Sequence, residues 1–346
     1  MVTTSNKTVV FRKTPSEYPV AGEHLDVETR ELVTDLKENE VLTRNLFLSA
    51  DPYLRGRMRP SPSYIPGYVI GSPLDSYGVA EVVSSKNPAY PVGTIIYGTV
   101  RWEEYSVISA DRISSFEILP KARELASRIP LSNYVGVAGM PGQTAYSSLK
   151  AVAKPKAGET IYISAASGAV GQLVGQLAKL QGLRVVGSAG SDAKVEYLLK
   201  ELKFDAAFNY KNGSVLESLR EAAPEGIDIY YDNVGAEHLE AALEVLNKYG
   251  RVVACGQIAD YNTKTPYGVK NLMYIVAKSL RVEGFLVTDY TRERKDFLNE
   301  ISQSILNGDI IYKEDITDGL DKAPEALIGI FHGKNFGKAV IKIADL

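Results

Sequence analysis

Cysteine and histidine are nearly missing from this chain of 346 residues, which holds one Cys and three His. A lone Cys255 excludes an internal disulfide framework and fits a reducing compartment. A zinc dehydrogenase needs Cys, His and acidic ligands around an open metal position. His24, His238 and His332 are scattered without ligand spacing and read as surface or loop residues, so no metal is expected. No Gly-x-Ser-x-Gly elbow is present, which argues against a serine nucleophile. Long apolar runs are absent too: nothing approaches the roughly 20 residues of a membrane span. The segment 1–7 lacks the apolar core of a signal peptide, and Ala344-Asp345-Leu346 is no sorting address. Excess charge of one sign is also missing, since 39 Lys and Arg face 42 Asp and Glu, a net charge of −3. That balance gives no reason to expect nucleic acid or an anionic membrane as partner. The expectation is a cytoplasmic protein acting on small molecules.

What is present has the texture of an enzyme. Apolar residues make up 45% and charged residues 23%, an ordinary globular balance. The length exceeds one comfortable core and suits two domains. Residues 8–120 read as short β-runs (41–48, 78–83, 94–97, 104–108) broken by turn signals such as Asn87-Pro88, with no long helix. From about residue 130 the pattern becomes strand alternating with helix, as in a parallel, doubly wound α/β sheet. Strands are expected at 160–164, 184–188, 207–210, 227–232, 251–255 and 280–287, short and apolar as in a sheet buried on both faces. Helices are expected at 168–181, 191–202, 236–246 and near 292–306, and the tail 310–343 returns to strand-like runs. The domains are therefore set at 1–128 with 310–346, and at 129–309.

The most informative stretch is Thr160-Ile161-Tyr162-Ile163-Ser164-Ala165-Ala166-Ser167-Gly168-Ala169-Val170-Gly171. A strand, a turn of small residues and a helix start match the dinucleotide fingerprint, with Ala165 for its first glycine, then Gly168 and Gly171. Small residues let the backbone approach a pyrophosphate, and the helix N-terminus offers N–H groups and a positive dipole end. An NAD site usually carries Asp or Glu about 20 residues further on. Here stand Gly187-Ser188-Ala189-Gly190-Ser191, then Asp192 and Lys194. A small uncharged pocket with Lys194 beside it suits a 2′-phosphate, so the cofactor expected is NADPH. Asp192 falls past the strand end, where an acid favours a helix N-terminus.

Tyrosine is the unusual resource, 21 against 9 Phe. Most tyrosines should sit at core edges, an apolar ring with a wet hydroxyl. Tyr53, Tyr77 and Tyr261 lie in turn-like contexts where they could face a ligand. Cys255 reads as a small strand residue beside the cofactor rather than a nucleophile.

The chain resembles the plant-type NADPH-dependent 2-alkenal (double-bond) reductases, relatives of leukotriene B4 12-hydroxydehydrogenase/prostaglandin reductase in the zinc-independent medium-chain dehydrogenase/reductase superfamily. The resemblance runs nearly end to end. It is carried by Asp51-Pro52-Tyr53-Leu54-Arg55, Trp102-Glu103-Glu104-Tyr105, residues 139–146, 164–176 and 187–191, Phe208-Asn209-Tyr210-Lys211, Asp232-Asn233-Val234-Gly235 and His332-Gly333-Lys334-Asn335. It implies a GroES-like β-barrel domain joined to a Rossmann domain, a cleft between them as active site, and a homodimer. It implies a pyrophosphate cradle of Ser167, Gly168, Ala169, Val170 and Gly171, and a 2′-phosphate held by Lys194 and Tyr210 near Gly190. The nicotinamide end would be lined by Asn233, Cys255, Tyr261, the strand Phe285-Leu286-Val287, Asn335 and Pro52. Tyr53, Tyr77 and Tyr261 would border an enal or enone, with Tyr53 and Tyr261 as candidate catalytic groups. A quinone reductase or a 15-keto-prostaglandin-type reductase is the neighbouring alternative, and a non-catalytic crystallin-like NADPH-binding protein the remote one. The Pro-rich loop Pro60–Tyr68 and the segment 261–271 depart from the family pattern, which leaves substrate length and ring preference open.

Overall fold

A computed structural model describes residues 2–60 and 63–346; Ser61 and Pro62 of the Pro-rich loop lie outside them. The chain divides into two compact units, Met1–Gly139 with Glu314–Leu346, and Met140–Lys313.

The first unit opens with an antiparallel ribbon of β1 (Thr3–Phe11) and β2 (Leu25–Val33). Then follow β3 (Val41–Ser49), β4 (Asp75–Ser85), β5 (Ile95–Arg101), β6 (Tyr105–Ile108) and β7 (Glu117–Ile118). Helices up to this point are single turns, such as Leu54–Arg57. On the central β3, Val41, Thr43 and Asn45 are buried while Leu42 and Arg44 are only partly so. That alternation breaks at an irregularity between Asn45 and Phe47, where the amide of buried Asn45 donates to the carbonyls of Arg101 (3.0 Å) and Glu103 (2.6 Å).

The second unit carries β8 (Thr160–Ile163), β9 (Arg184–Ala189), β10 (Ala206–Asn209), β11 (Ile227–Asp232), β12 (Leu246–Ala254) and β13 (Arg281–Gly284). All pair in parallel, in the order β10-β9-β8-β11-β12-β13. In order of appearance that is 3-2-1-4-5-6, the doubly wound Rossmann arrangement, whose reversal point lies between β8 and β11. Ile161, Tyr162, Ile163, Ile229, Tyr230 and Tyr231 are all fully buried, because helices cover both faces of such a sheet. The helix read at 168–181 runs Gly171–Leu180. The last strand is shorter than the sequence suggests: its final pair is Ala254 with Gly284, where β12 also ends. Without a ladder partner, Phe285-Leu286-Val287 is not a strand, and a 3₁₀ turn follows at Val287–Glu293.

The chain then returns to the first unit. There β14 (Glu314–Asp318) and β15 (Lys338–Lys342) join its seven-stranded sheet in the order β14-β15-β3-β4-β5-β7, with β6 beside β3. Between them lies the helix Ala323–Phe331, in a stretch that reads as strand-like by sequence. The apolar run Ala326–Phe331 gives no periodicity to separate helix from strand.

Where β15 meets the end of β3, Lys338 is 1% exposed. Its ammonium donates to the carbonyls of Ala50 and Ala339 at 2.7 Å each and lies 3.2 Å from the buried Asp51 carboxylate. Burial pulls the Lys338 pKa down while Asp51 opposes that shift. The other carboxylate oxygen of Asp51 accepts from the Ser49 hydroxyl. The pair anchors the residues immediately before Pro52 and Tyr53. Asp51→Ala strands the buried ammonium and should lower the unfolding free energy by about 3–5 kcal/mol. Denaturant titration checks this, and a loss of less than about 1 kcal/mol would contradict it.

Candidate active site

The dinucleotide fingerprint folds as a strand, a turn and a helix. After β8, residues 164–170 make tight turns and the helix Gly171–Leu180 begins. Ala165, at the place of the first fingerprint glycine, has φ +47°, the left-handed conformation that glycine adopts freely. Gly171 has no room for a side chain: a Cβ would stand 2.6 Å from the Ala165 carbonyl oxygen and 2.7 Å from Ala166 Cα. At Gly168 the nearest atom would be the Ala165 oxygen at 3.1 Å. Among the described residues, no backbone carbonyl accepts from the N–H groups of Ser167, Ala169 or Val170. Open N–H donors, a helix N-terminus and little side-chain bulk fit the pyrophosphate of a dinucleotide.

The next strand ends in Ala189, and Gly190 follows. Ser191 caps the helix Asp192–Lys200, its hydroxyl accepting from the Lys194 N–H at 3.4 Å. Lys194 is thus placed on the first turn, half-buried. Asp192 is drawn toward β10, where one carboxylate oxygen accepts from the amides of Asn209 (2.7 Å) and Asn212 (3.1 Å). Tyr210 follows β10 and donates its N–H to the Ala189 carbonyl at 3.2 Å. Its hydroxyl lies so near Gly190 that a Cβ there would stand 3.1 Å from it. Gly190 and Tyr210 therefore meet, with Lys194 on the first turn of the helix that follows, and a cation beside small residues and a hydroxyl suits a phosphate.

At the reversal point, one oxygen of the Asp232 carboxyl accepts from the Tyr230 hydroxyl (2.7 Å) and from the N–H groups of Val234 (3.0 Å) and Gly235 (2.7 Å). Burial raises its pKa to about 6 against those hydrogen bonds. Asn233 is held by Ser164: its amide donates to the Ser164 carbonyl at 2.8 Å, and its N–H to the Ser164 hydroxyl at 3.1 Å. Cys255 donates its N–H to the Asp232 carbonyl at 2.9 Å, and burial pushes its thiol up to about 12. That is the state of an inert thiol. Tyr261 follows the 3₁₀ turn Ile258–Asp260, and its hydroxyl accepts from the Gln257 N–H at 3.4 Å, close over Gly256. Phe285 meets Tyr290 edge-on, and Leu286 is 37% exposed.

The remaining candidates, Pro52, Tyr53, Tyr77 and Asn335, belong to the first unit. Tyr53 precedes the one-turn helix Leu54–Arg57. Its pKa is raised well above the tyrosine range, chiefly by burial and then by Asp51, with Tyr68 and Tyr77 adding. The hydroxyl therefore keeps its proton and remains a donor. Tyr77 stacks on Tyr97 with ring centroids 5.5 Å apart. Asn335 donates its side-chain amide to the Gly337 carbonyl at 2.7 Å. The sequence did not single out Tyr68 or Arg57. The Arg57 guanidinium grips the Asp75 carboxylate and lies 4.1 Å over the Tyr68 ring, whose hydroxyl donates to the Asp75 carbonyl at 2.7 Å. Of the histidines, His332 is exposed, but His24 and His238 are buried, at 7% and 4% exposure. A single histidine in a helix gives no sequence signal of which way it faces. Among the described residues, no three or more His, Cys, Asp or Glu stand where they could hold a metal ion.

Two family models match, described as the N-terminal domain of oxidoreductase over residues 7–116 and as zinc-binding dehydrogenase over 169–303. The chain is 44% identical to the NADP(+)-dependent 2-alkenal reductase of Nicotiana tabacum, with 98% of each chain covered. It belongs to the medium-chain dehydrogenase/reductase family. Within that family it is also 43% identical to (+)-pulegone reductase of Mentha piperita, over 88% of each chain. The crystal structure of CurA from Vibrio vulnificus in complex with NADPH matches with a TM-score of 0.88 at 32% identity, covering 98% of this chain and 100% of that one. The fold is that of the family, a GroES-like domain and a Rossmann domain.

The absence of space at Gly171 yields a graded expectation. Gly171→Ala presses a methyl into backbone and should cost about 1–3 kcal/mol of stability. It should also weaken NADPH binding on the order of tenfold, the loss of one charge-assisted hydrogen bond. Gly168→Ala, with 3.1 Å to one carbonyl, should be milder in both. Equal effects in thermal unfolding and cofactor titration would contradict this reading of the turn.

Proposed function

We propose that this chain reduces the α,β carbon–carbon double bond of 2-alkenals and enones with NADPH. The observation that carries it is the open turn of small residues after β8, with Lys194 on the first turn of the helix after β9 and Tyr210 just past β10. Relatives named 2-alkenal reductase and (+)-pulegone reductase support the choice of acceptor.

When bound, NADPH supplies a hydride to the β-carbon of a conjugated carbonyl compound. The chain's own groups bind and orient. Ser167, Gly168, Ala169, Val170 and Gly171 cradle the pyrophosphate, and Lys194 and Tyr210, against Gly190, take the 2′-phosphate. On the Met140–Lys313 unit the family resemblance gives Asn233, Cys255, Tyr261, Phe285, Leu286 and Val287 to the nicotinamide end, and on the other unit Asn335 and Pro52. It gives Tyr53, Tyr77 and Tyr261 to the substrate. As negative charge develops on the carbonyl oxygen, a pre-placed hydroxyl stabilises it. Tyr53 suits that task because burial keeps its proton in place. Tyr261 is the second candidate, with its hydroxyl oxygen held by the Gln257 N–H close over Gly256. No metal is needed, since conjugation already polarises the acceptor. The unit Met140–Lys313 is the NADPH domain and the other the substrate domain. The same reading makes the enzyme a cytosolic homodimer, supported by the single cysteine, the balanced charge and the family resemblance.

NADPH oxidation against a panel of enals, enones, phenylpropenals and quinones tests the activity. Enals and enones should be turned over to products saturated at the double bond, before and after prolonged chelation. Turnover of quinones alone would sink the proposal, and activity lost and regained with zinc would overturn its metal-free chemistry.

The tyrosines separate in kinetics. A hydroxyl that acts only in the transition state makes Tyr→Phe lower kcat and kcat/KM together. For Tyr53→Phe or Tyr261→Phe the loss should reach at most about 2.7–4 kcal/mol. A packing role would leave Phe near neutral and make Ala raise KM. Full kcat in both Phe variants and in their combination would remove tyrosine from the mechanism.

A further inference from the structure

His238 is a buried titratable group of the Rossmann unit to which the chemistry above gives no task. It enters on the first turn of the helix Ala236–Val245 and is 4% exposed. Its Nδ1 lies 2.6 Å from the Tyr162 hydroxyl, which in turn lies 2.9 Å from the Ser188 hydroxyl at the end of β9. Burial draws its pKa down to about 4, so the ring stays neutral at physiological pH. On one side it lies parallel to Tyr162, with centroids 6.4 Å apart. On the other it meets Tyr210 at 5.2 Å and 77°, an edge-to-face contact.

Tyr210 is the first residue past β10 and is 36% exposed. A tyrosine in that setting loses rotamer freedom when it closes on a ligand, unless a neighbour has already fixed it. The His238 ring is such a neighbour. It is itself held by a hydrogen-bonded chain that ends in β9, two residues before Gly190. An edge-to-face ring pair of this kind holds its members beyond what the area it buries supplies.

We propose that His238 is a positioning residue for cofactor choice: through its ring contact it fixes Tyr210 over Gly190 and so pre-forms the pocket for the adenosine 2′-phosphate. This rests on the reading of Lys194 and Tyr210 as the 2′-phosphate site and adds to it a residue that touches no part of the cofactor.

The test uses the full chain and calorimetric titration with adenosine 2′,5′-bisphosphate and with 5′-AMP, backed by KM values for NADPH and NADH. His238→Ala should weaken the bisphosphate three- to tenfold and raise KM for NADPH by the same factor, with 5′-AMP and NADH within twofold. His238→Phe keeps a ring against Tyr210 and should restore the preference, although it gives up the bond to Tyr162. His238→Gln keeps a polar partner for Tyr162, loses the ring and should behave like Ala; it decides the matter if the Ala variant fails to fold. The proposal is overturned if both ligands weaken together, if neither moves, or if Phe fails as Ala does. Lys194→Ala runs in parallel. If the unaltered chain shows no preference for the bisphosphate, and Lys194→Ala changes nothing, the 2′-phosphate reading itself has failed. A preference that Lys194→Ala abolishes and His238→Ala leaves intact sinks only the role of His238.

Discussion

A pyrophosphate can lie against the end of β8 only if the chain there carries almost no side-chain bulk, and much of the Rossmann unit follows from that demand. Gly171 meets it by having no Cβ where one would strike the Ala165 carbonyl. Ala165 meets it by taking a conformation that a side chain opposes. Close packing continues behind the turn: a Cβ on Gly175 or on Gly187 would run into the ring of Phe204, which fills the space those two glycines leave. The helix is thereby seated close on the sheet, next to the reversal of strand order between β8 and β11 where such sheets open a crevice.

A second constraint comes from filling a parallel sheet with tyrosine. Tyr162, Tyr230 and Tyr231 are fully buried, and a buried hydroxyl without a partner costs about 1–3 kcal/mol. Each is answered locally: Tyr162 by Ser188 and His238, Tyr230 by Ser164 and Asp232, Tyr231 by Ser148 at 2.7 Å. Because Ser164 and Asp232 also hold Asn233 and the turn after it, core hydrogen bonding runs directly into the crevice. Rings and hydroxyls that stabilise the sheet thus also fix what stands at its carboxyl edge.

The parallel sheet was legible because strands buried on both faces write themselves as short apolar runs, as in 160–164 and 227–232. Its last strand was overread because nothing in Phe285-Leu286-Val287 reveals that the neighbouring strand has already ended. Candidate residues near the phosphate turn could be named because the turn's small residues leave a spaced signature. Tyr68 and Arg57 could not. Their partnership is made through Asp75, which the chain brings close only by folding a loop that departs from the family pattern. His238 was hidden for a different reason. Helix faces are set by neighbours, and one imidazole does not announce that a tyrosine on the neighbouring strand β8 needs its nitrogen.

Trp102 is the sole tryptophan, fully buried in the first unit, with its indole N–H donating to the Ser76 hydroxyl at 2.8 Å. Its emission therefore comes from one site, shielded from water, in the unit that does not carry the dinucleotide turn. The Rossmann unit holds no tryptophan and contributes tyrosine and phenylalanine to the near-ultraviolet signal. The chain is in effect labelled by its own composition: tryptophan light reports the melting of one half, and backbone dichroism reports both. An intermediate in which one unit has opened and the other has not would show itself as two transitions that fail to coincide.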